Sequence, residues 1–313
     1  MASTVSVAPC SLVSFKTSDG LTLQGMLMSP KNAAKGGTCL IYVHGMTGNF
    51  YSSTIFYALS KDLSAHGIAS FAINTRGHDI LCGIKTEGMS HGGLHGTAVE
   101  GFEGCIEDIG AAVTAIKKLG YKEIILCGHS TGCQKIVHYM HNSKDMAVSR
   151  LVLISPADDF AITKRKYGSS LETKIRMARK LIRSGGGNNP SPAFEGYSPK
   201  RFLSIAERSS PEASIFDYSG SMKEYSSIKA PMLVILGGSE EWMYHKVSYY
   251  KEILEERSGS EEMLFAEIKN ANHSFDGRLA ELSSSIISYL IQHTGRSKKR
   301  GISNRARSVP GYS

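Results

Sequence analysis

The five residues 128–132, Gly-His-Ser-Thr-Gly, have the G-x-S-x-G spacing that holds a nucleophilic serine. The apolar run Glu123–Cys127 leads directly into them, and a stretch compatible with a helix follows at once. A sharp turn between a strand and a helix leaves no room for neighbouring side chains, which explains the glycines. The pattern predicts that Ser130 is a nucleophile at a helix N-terminus, where the backbone N–H of Thr131 favours negative charge.

A serine hydroxyl is a poor nucleophile unless a base activates it, so the motif requires a histidine and a carboxylate later in the chain. His273 follows the last predicted strand in a polar loop, and Glu240 follows the strand Met232–Leu236. The acid would hold the imidazole tautomer and stabilise the imidazolium, which the adjacent Glu241 could also do. We therefore predict a catalytic set of Ser130, Glu240 and His273, with Glu241 as the alternative acid.

An earlier loop, which begins at His44, follows a predicted buried strand at the position where a second oxyanion donor is expected. The backbone N–H groups of Met46 and Thr131 are predicted to form the oxyanion hole. His44, His129 and Trp242 are predicted to contact the substrate. For His44 a second interpretation is open, in which its ring braces the loop that carries the donors.

Short β-rich runs alternate with longer helix-compatible stretches, which predicts an α/β fold whose mostly parallel twisted sheet has helices on both faces. The first two strands flank a Ser-Asp-Gly turn and read as an antiparallel hairpin. The predicted strands are Leu12–Lys16, Leu21–Met28, Thr38–Val43, Ile68–Ile73, Glu123–Cys127, Leu151–Ile154, Met232–Leu236 and Met263–Ile268. The predicted helices are Ser52–His66, Ala98–Leu119, Gln134–Asn142, Lys246–Arg257 and Phe275–Gln292.

The segment after the sixth strand breaks this alternation, because it contains several prolines, a Gly-Gly-Gly run and no convincing strand. We predict a core of residues 1–155 and 228–293, a helical cap insertion at 156–227, and a basic disordered tail at 294–313. An insertion at this point would lie above the carboxyl edge of the sheet, where open α/β folds bind ligands.

The chain resembles the α/β-hydrolase superfamily through His44-Gly45, Gly128–Gly132, Glu240 and His273, with the expected spacing over residues 12–293. The resemblance implies hydrolysis of an ester, thioester or amide through an acyl-enzyme, with no organic cofactor or metal. Acids in the superfamily are usually Asp, whereas both candidates here are Glu. The resemblance names a class of reaction and leaves the substrate open.

Four short motifs also look like a poorly characterised group of microbial and fungal hydrolases that includes siderophore-ester hydrolases. They are Asn74–Asp79, Gly128–Gln134, Glu241-Trp242 and Ala271–Ser274. Two further readings stay open on the same fold. One is an acyltransferase or C–C bond hydrolase that uses the same triad, and the other is a ligand-binding, receptor-like protein.

The net charge of +8 is concentrated in the segments Lys164–Arg183 and Arg296–Arg307, so a nucleic-acid partner is not expected. The first segment could face an anionic substrate or be the solvated side of a cap helix. No stretch is apolar enough to span a membrane, and the six cysteines lack CxxC spacing, which predicts a cytoplasmic protein with reduced thiols. The partner expected is a small-molecule ester; the sequence does not predict the oligomeric state.

Three histidines, His78, His91 and His95, lie in a Gly-rich segment at 74–96 and suggest a metal site. Their spacing fits no tight ligand motif, and few carboxylates lie near them in the sequence. We interpret the segment as a loop at the mouth of the pocket, braced by Arg76 through a carboxylate or a carbonyl.

Overall fold

The computed structural model describes residues 10–30 and 36–303. Its strands are β1 (Ser11–Lys16), β2 (Thr22–Met28), β3 (Thr38–Val43), β4 (Ala69–Ile73), β5 (Cys82–Ile84), β6 (Gly93–His95), β7 (Glu123–His129), β8 (Val148–Ile154), β9 (Met232–Gly237) and β10 (Met263–Ile268). Eight of them form one sheet in the order β1-β2-β4-β3-β7-β8-β9-β10, and β5 and β6 form a separate hairpin. All the strands predicted from the sequence are present, with small differences at their ends.

The sheet is parallel from β4 to β10, and only the β1–β2 hairpin and its contact with β4 are antiparallel. The central strands are buried, as expected for apolar runs covered on both faces. Val43 at the end of β3 lies opposite Gly128 near the end of β7. The loops that follow these two strands therefore leave the sheet at the same edge.

The helices are α1 (Thr54–Ala65), α2 (Cys105–Lys118), α3 (Thr131–Ser143), α4 (Asp159–Tyr167), α5 (Leu171–Arg183), α6 (Pro199–Ala206), α7 (Pro211–Ile215), α8 (Lys223–Ser227), α9 (Val247–Arg257) and α10 (Leu279–Ser303). Buried residues of α2, α3 and α9 join one apolar cluster on one face of the sheet, and those of α1 and α10 join a second cluster on the other face. The layered α/β architecture predicted from the sequence is confirmed.

Five helices, α4 to α8, occupy the predicted insertion, and residues 155–231, all of which the structure describes, contain no strand. The first part of this segment has a small apolar cluster of its own, made by Leu171, Ile175, Ala178, Phe194, Phe202 and Ala206. The later part packs differently, since Ile215, Phe216 and Tyr225 belong to the cluster around α2 and α3. A separate layer is therefore formed by α4, α5 and α6, whereas α7 and α8 are part of the core.

Several predicted boundaries are wrong, for local reasons. The helix predicted from Phe275 begins only at Leu279, because Phe275 and Gly277 have φ angles of 57° and 70°, which a right-handed helix cannot accommodate. The loop predicted at 74–96 contains the hairpin β5–β6. Helix α10 continues to Ser303, into the predicted tail, and residues 304–313 lie outside the described residues.

None of the helices in the part of the chain that the structure describes is long and apolar enough to cross a membrane. All six cysteines are unpaired, and four of them are buried. Buried free cysteine packs as a small apolar side chain, which agrees with the structural role predicted for these thiols.

Candidate active site

Ser130 lies at the sharp turn between β7 and α3, with φ 54° and ψ −128°. This conformation is strained for a residue with a side chain and costs about 1–3 kcal/mol. A Cβ atom at Gly128 would lie 2.4 Å from the carbonyl oxygen of Gly132, and one at Gly132 would lie 2.2 Å from that of Val43. Only glycine fits at these two positions, so the G-x-S-x-G pattern follows from how closely the backbone segments approach.

The side chain of His273 is held by a carboxylate from the next loop along the sheet edge. Its Nδ1 lies 2.6 Å from Oε1 of Glu240, whose side chain is 2% exposed. The backbone N–H of His273 donates to Oε2 of Glu241 at 2.6 Å. The two glutamates thus hold different atoms of the same residue, and Glu240 is the one at the ring. An Nδ1–H that donates to this carboxylate leaves Nε2 free to accept a proton.

Ser130 and His273 line one pocket of about 300 Å³, together with His44, Met46 and His129. The strand register brings these residues together although they are far apart in the sequence. A Cβ atom at Gly45 would lie 2.9 Å from Cβ of Ser130, so the loop after β3 lies directly against the serine. The structure therefore places the predicted nucleophile, base and one predicted oxyanion residue around a single cavity.

The loop after β3 is fixed by contacts on several sides. The N–H of Thr47 donates to Oγ1 of Thr97 at 2.9 Å, and Thr97 donates to the carbonyl of Gly77 at 2.6 Å. From the separate helical layer, the Tyr197 hydroxyl donates to Sδ of Met46 at 3.2 Å. The other predicted oxyanion residue, Thr131, directly follows Ser130 as the first residue of α3. Fixed N–H groups at such positions can stabilise an oxyanion without reorganising.

His44 is buried, and backbone groups occupy both of its ring nitrogens. Nδ1 lies 2.8 Å from the carbonyl oxygen of Gly45, and Nε2 accepts from the N–H of Thr75 at 3.2 Å. Burial, assisted by the positive charge of Lys135, lowers the pKa of His44 to about 3. A neutral ring held in this way favours the interpretation that His44 braces the loop over a direct contact with substrate.

His129 also contacts the backbone of the loop that carries His273. Its Nε2 lies 2.9 Å from the carbonyl oxygen of His273 and so donates to it. Burial, with the nearby His273, lowers the pKa of His129 to about 4. Trp242 lies at the rim and is 47% exposed, and its ring stands edge to face with His273 at a centroid distance of 6.4 Å. Trp242 lines a different cavity from Ser130.

A buried cluster of charges that the sequence did not suggest lies beside the site. Nζ of Lys135, on α3, contacts Oε2 of Glu100 at 2.9 Å. Arg201, on α6, forms a bidentate pair with Glu212 and lies 3.7 Å from Glu100. Burial alone raises the pKa of Glu100, but the charges of Lys135 and Arg201 outweigh it and hold that pKa below its usual value. The cluster ties the helical layer to the helix that begins at the nucleophile.

Arg76 braces the segment after β4, as predicted from the sequence. Its guanidinium pairs with Asp108 at 2.9 Å and with Asp19 at 2.8 Å. In the part of the chain that the structure describes, no group of three or more His, Cys, Asp or Glu side chains could hold a metal ion.

Residues 36–187 match the model of a family described as "Serine aminopeptidase, S33" (Hydrolase_4). Similar solved structures include Est1E from Butyrivibrio proteoclasticus with ferulic acid bound, at a TM-score of 0.63 and 17% identity, covering 90% of this chain and 100% of that chain. The Pyrococcus furiosus esterase Pf2001 has a TM-score of 0.61 and 17% identity, covering 91% of each chain. The carboxylesterase CesB from Bacillus subtilis has a TM-score of 0.53 and 21% identity, covering 90% of this chain and 92% of that chain. No curated protein matches the chain.

The family match, the sheet order and the strained serine at the end of β7 define a serine hydrolase. The match of residues 36–187 to a serine-hydrolase family model and the likeness to solved esterases confirm the α/β-hydrolase fold and the hydrolase class inferred from the sequence.

Proposed function

We propose that the protein is a serine carboxylesterase that cleaves a small-molecule ester through an acyl-enzyme, with Ser130, Glu240 and His273 as its triad. The observation that carries this proposal is the 2.6 Å contact between Nδ1 of His273 and Oε1 of Glu240, at a histidine that lines the same pocket as the strained Ser130. A buried carboxylate at Nδ1 makes Nε2 a proton acceptor, which is what a serine nucleophile needs.

In the proposed reaction, Nε2 of His273 removes the proton from Oγ of Ser130 as the oxygen attacks the ester carbonyl. The N–H groups of Met46 and Thr131 donate to the oxyanion of the tetrahedral intermediate. His273 then returns the proton to the leaving alcohol, which leaves an acyl-serine. Water, activated by the same histidine, hydrolyses the acyl-serine and restores the enzyme.

Ester cleavage is supported over amide cleavage by what the similar structures are called: Pf2001 is an esterase and CesB a carboxylesterase, and Est1E was solved with ferulic acid bound. The matched family is described by an aminopeptidase activity, so an amide is the other substrate to test. Matched p-nitrophenyl acetate and p-nitroacetanilide substrates differ only in the atom that leaves and separate the two reactions directly.

The triad is tested by pre-steady-state hydrolysis of p-nitrophenyl acetate by wild type, Ser130→Ala and His273→Ala. We expect each variant to lose about 10⁴-fold or more in kcat, and the burst to disappear in Ser130→Ala. Ser143→Ala, at the exposed end of α3, and His66→Ala, at the exposed end of α1, are matched controls that should keep wild-type rates. Wild-type turnover by Ser130→Ala would show the proposal to be wrong.

A fluorophosphonate probe supplies a second readout. It should label wild type at Ser130, and absence of labelling together with absence of turnover would favour the receptor-like alternative. Product analysis with an added alcohol distinguishes an acyltransferase from a hydrolase, because a transferase forms a new ester whereas a hydrolase releases the acid.

We also propose that α4, α5 and α6 form a cap over the site, within the insertion predicted at 156–227. The contact of Tyr197 with Met46 supports this, because it joins the helical layer to the loop that carries an oxyanion donor. A cytoplasmic location remains our proposal, supported by six unpaired cysteines. Cell fractionation of the protein expressed in its source organism tests it.

A further inference from the structure

A second cavity, of about 490 Å³, lies between α4 and the loop after β9. We call it the α4 pocket. On one side it is lined by Lys164 and Arg165, and on the other by Trp242, Tyr244 and Tyr249. The cavity is separate from the one that contains Ser130, but Trp242, which lines the α4 pocket, has its ring edge to face with that of His273, which lines the other.

The α4 pocket has a surplus of positive charge. Lys164, Arg165 and Arg208 line it, against the single carboxylate of Asp158. Arg208 is already paired with Asp217. Among the described residues no carboxylate forms an ion pair with Lys164 or Arg165. The charges of Lys164 and Arg165, which are both exposed, are therefore not neutralised by an ion pair.

The one carboxylate in the pocket is occupied by backbone groups. Oδ1 of Asp158 caps α4 by accepting from the N–H of Ala161 at 2.8 Å, and Oδ2 accepts from the N–H of Tyr218 at 3.2 Å. Asp158 therefore serves the local backbone and does not neutralise the cations of α4 by direct contact.

The opposite wall is aromatic and held in place. The guanidinium carbon of Arg165 lies 4.2 Å from the centroid of the Tyr244 ring, which is a cation–π contact. The hydroxyl of Tyr250 accepts from the N–H groups of Tyr244 and His245, at 2.8 and 3.2 Å, and so fixes the backbone that carries this wall. Aromatic walls with a cation at the edge suit a flat ring that bears a negative charge.

The pocket is joined to the triad through Trp242. This residue follows Glu240 and Glu241 directly in the chain, and its ring meets that of His273 edge to face. A ligand part seated against the other side of Trp242 would lie next to the base of the proposed reaction. An ester bound across the indole could reach both cavities at once.

We propose that the α4 pocket binds the aromatic carboxylate part of the substrate, so that the preferred substrates are esters of aromatic acids or phenols whose ring carries a free carboxylate. This inference rests on the proposed esterase function. Lys164 and Arg165 pair with the carboxylate, and Trp242 and Tyr244 contact the ring. The ester carbonyl then lies at Ser130.

Binding can be measured without turnover, because Trp242 is the only tryptophan in the chain. In the Ser130→Ala protein, titration with benzoate should change the Trp242 emission, and titration with the neutral isostere benzamide should change it far less. Lys164→Ala and Arg165→Ala in that protein should each raise the Kd for benzoate roughly three- to tenfold. Lys166→Ala is the matched control, because Lys166 lies on the same helix, pairs with Glu195 and does not line the pocket.

Catalysis supplies the second arm. Wild type should have a higher kcat/KM for 4-acetoxybenzoate than for methyl 4-acetoxybenzoate, and a higher kcat/KM for monomethyl terephthalate than for dimethyl terephthalate. Lys164→Ala and Arg165→Ala should remove this preference for the free carboxylate. Lys166→Ala should keep it. Equal emission changes with benzoate and benzamide, or equal kcat/KM within both ester pairs, would overturn the inference and leave the esterase proposal standing. Wild-type turnover by Ser130→Ala would overturn the esterase proposal, whatever the binding result.

Discussion

Oε1 of Glu240 lies 2.6 Å from Nδ1 of His273, while Oε2 of the same carboxylate is buried and has no hydrogen-bond partner among the described residues. A buried carboxylate that is otherwise unpaired loses solvation, and the imidazole is the group placed to compensate it. The attraction between the Glu240 carboxylate and the His273 ring is greatest when both ring nitrogens carry a proton. The pair is therefore arranged to stabilise the imidazolium that the proposed reaction requires.

The two adjacent glutamates should differ in their effect on catalysis. We expect Glu240→Gln to lower kcat for p-nitrophenyl acetate by about 10³- to 10⁴-fold, because the uncharged amide no longer stabilises the imidazolium or enforces its tautomer. Glu241→Gln keeps an oxygen that can accept from the backbone N–H of His273, so its loss should stay within about tenfold. Steady-state kinetics with both variants checks this, and a larger loss in Glu241→Gln than in Glu240→Gln would reverse the assignment.

The turn at Ser130 should not tolerate a methyl group at Gly132. A Cβ atom there would lie 2.2 Å from the carbonyl oxygen of Val43 and 2.9 Å from that of His44, and both belong to backbone that cannot move freely. We expect Gly132→Ala to lower the free energy of unfolding in urea by about 3 kcal/mol or more, and activity to fall with it. Gly101→Ala is the matched control: no atom lies within 4 Å of its Cβ position and its φ is −84°. Its change should stay within about 0.5 kcal/mol.

The buried cluster around Arg201 should contribute to stability only while it is complete. Arg201→Met leaves Glu212 buried without its bidentate partner, and we expect the free energy of unfolding to fall by about 3–5 kcal/mol. The double variant Arg201→Met, Glu212→Leu should recover part of that loss, because no unpaired charge then remains at the pair. Arg179→Met, which removes an exposed pair with Glu207, should cost less than about 1 kcal/mol. Equal losses in Arg201→Met and Arg179→Met would contradict this account.

The elements that could be predicted from the sequence are those whose signals are local. Gly128 and Gly132 are required by backbone contacts within one turn, and the motif therefore identifies the serine without any knowledge of the rest of the chain. Glu240 and His273 could be predicted because each follows a parallel strand, and β9 and β10 end at the same edge of the sheet.

The features that could not be predicted depend on the directions of side chains and on contacts between residues far apart in the sequence. Which of Glu240 and Glu241 faces the ring depends on the conformation of a short loop, since successive side chains there diverge. The pairing of Lys135 with Glu100 joins residues 35 positions apart, and nothing in either local sequence marks the partner. Lys135 itself is the one local signal of this pairing. It lies among the buried residues of α3, and a buried lysine needs a carboxylate partner.

Two buried histidines should make the protein less stable in mild acid. The pKa of His44 is lowered to about 3 and that of His129 to about 4, whereas both titrate near 6.5 in the unfolded chain. The unfolded state therefore binds more protons between about pH 6.5 and pH 4, and the free energy of unfolding should fall there by about 1.4 kcal/mol per histidine for each unit that the pH drops.

Urea unfolding of wild type and His44→Gln at several pH values measures that slope. The slope should be shallower in His44→Gln, and His91→Gln, which replaces an exposed ring, should keep the wild-type slope. A wild-type slope in His44→Gln would mean that this ring is protonated in the folded protein and does not stay neutral to hold the loop beside Ser130.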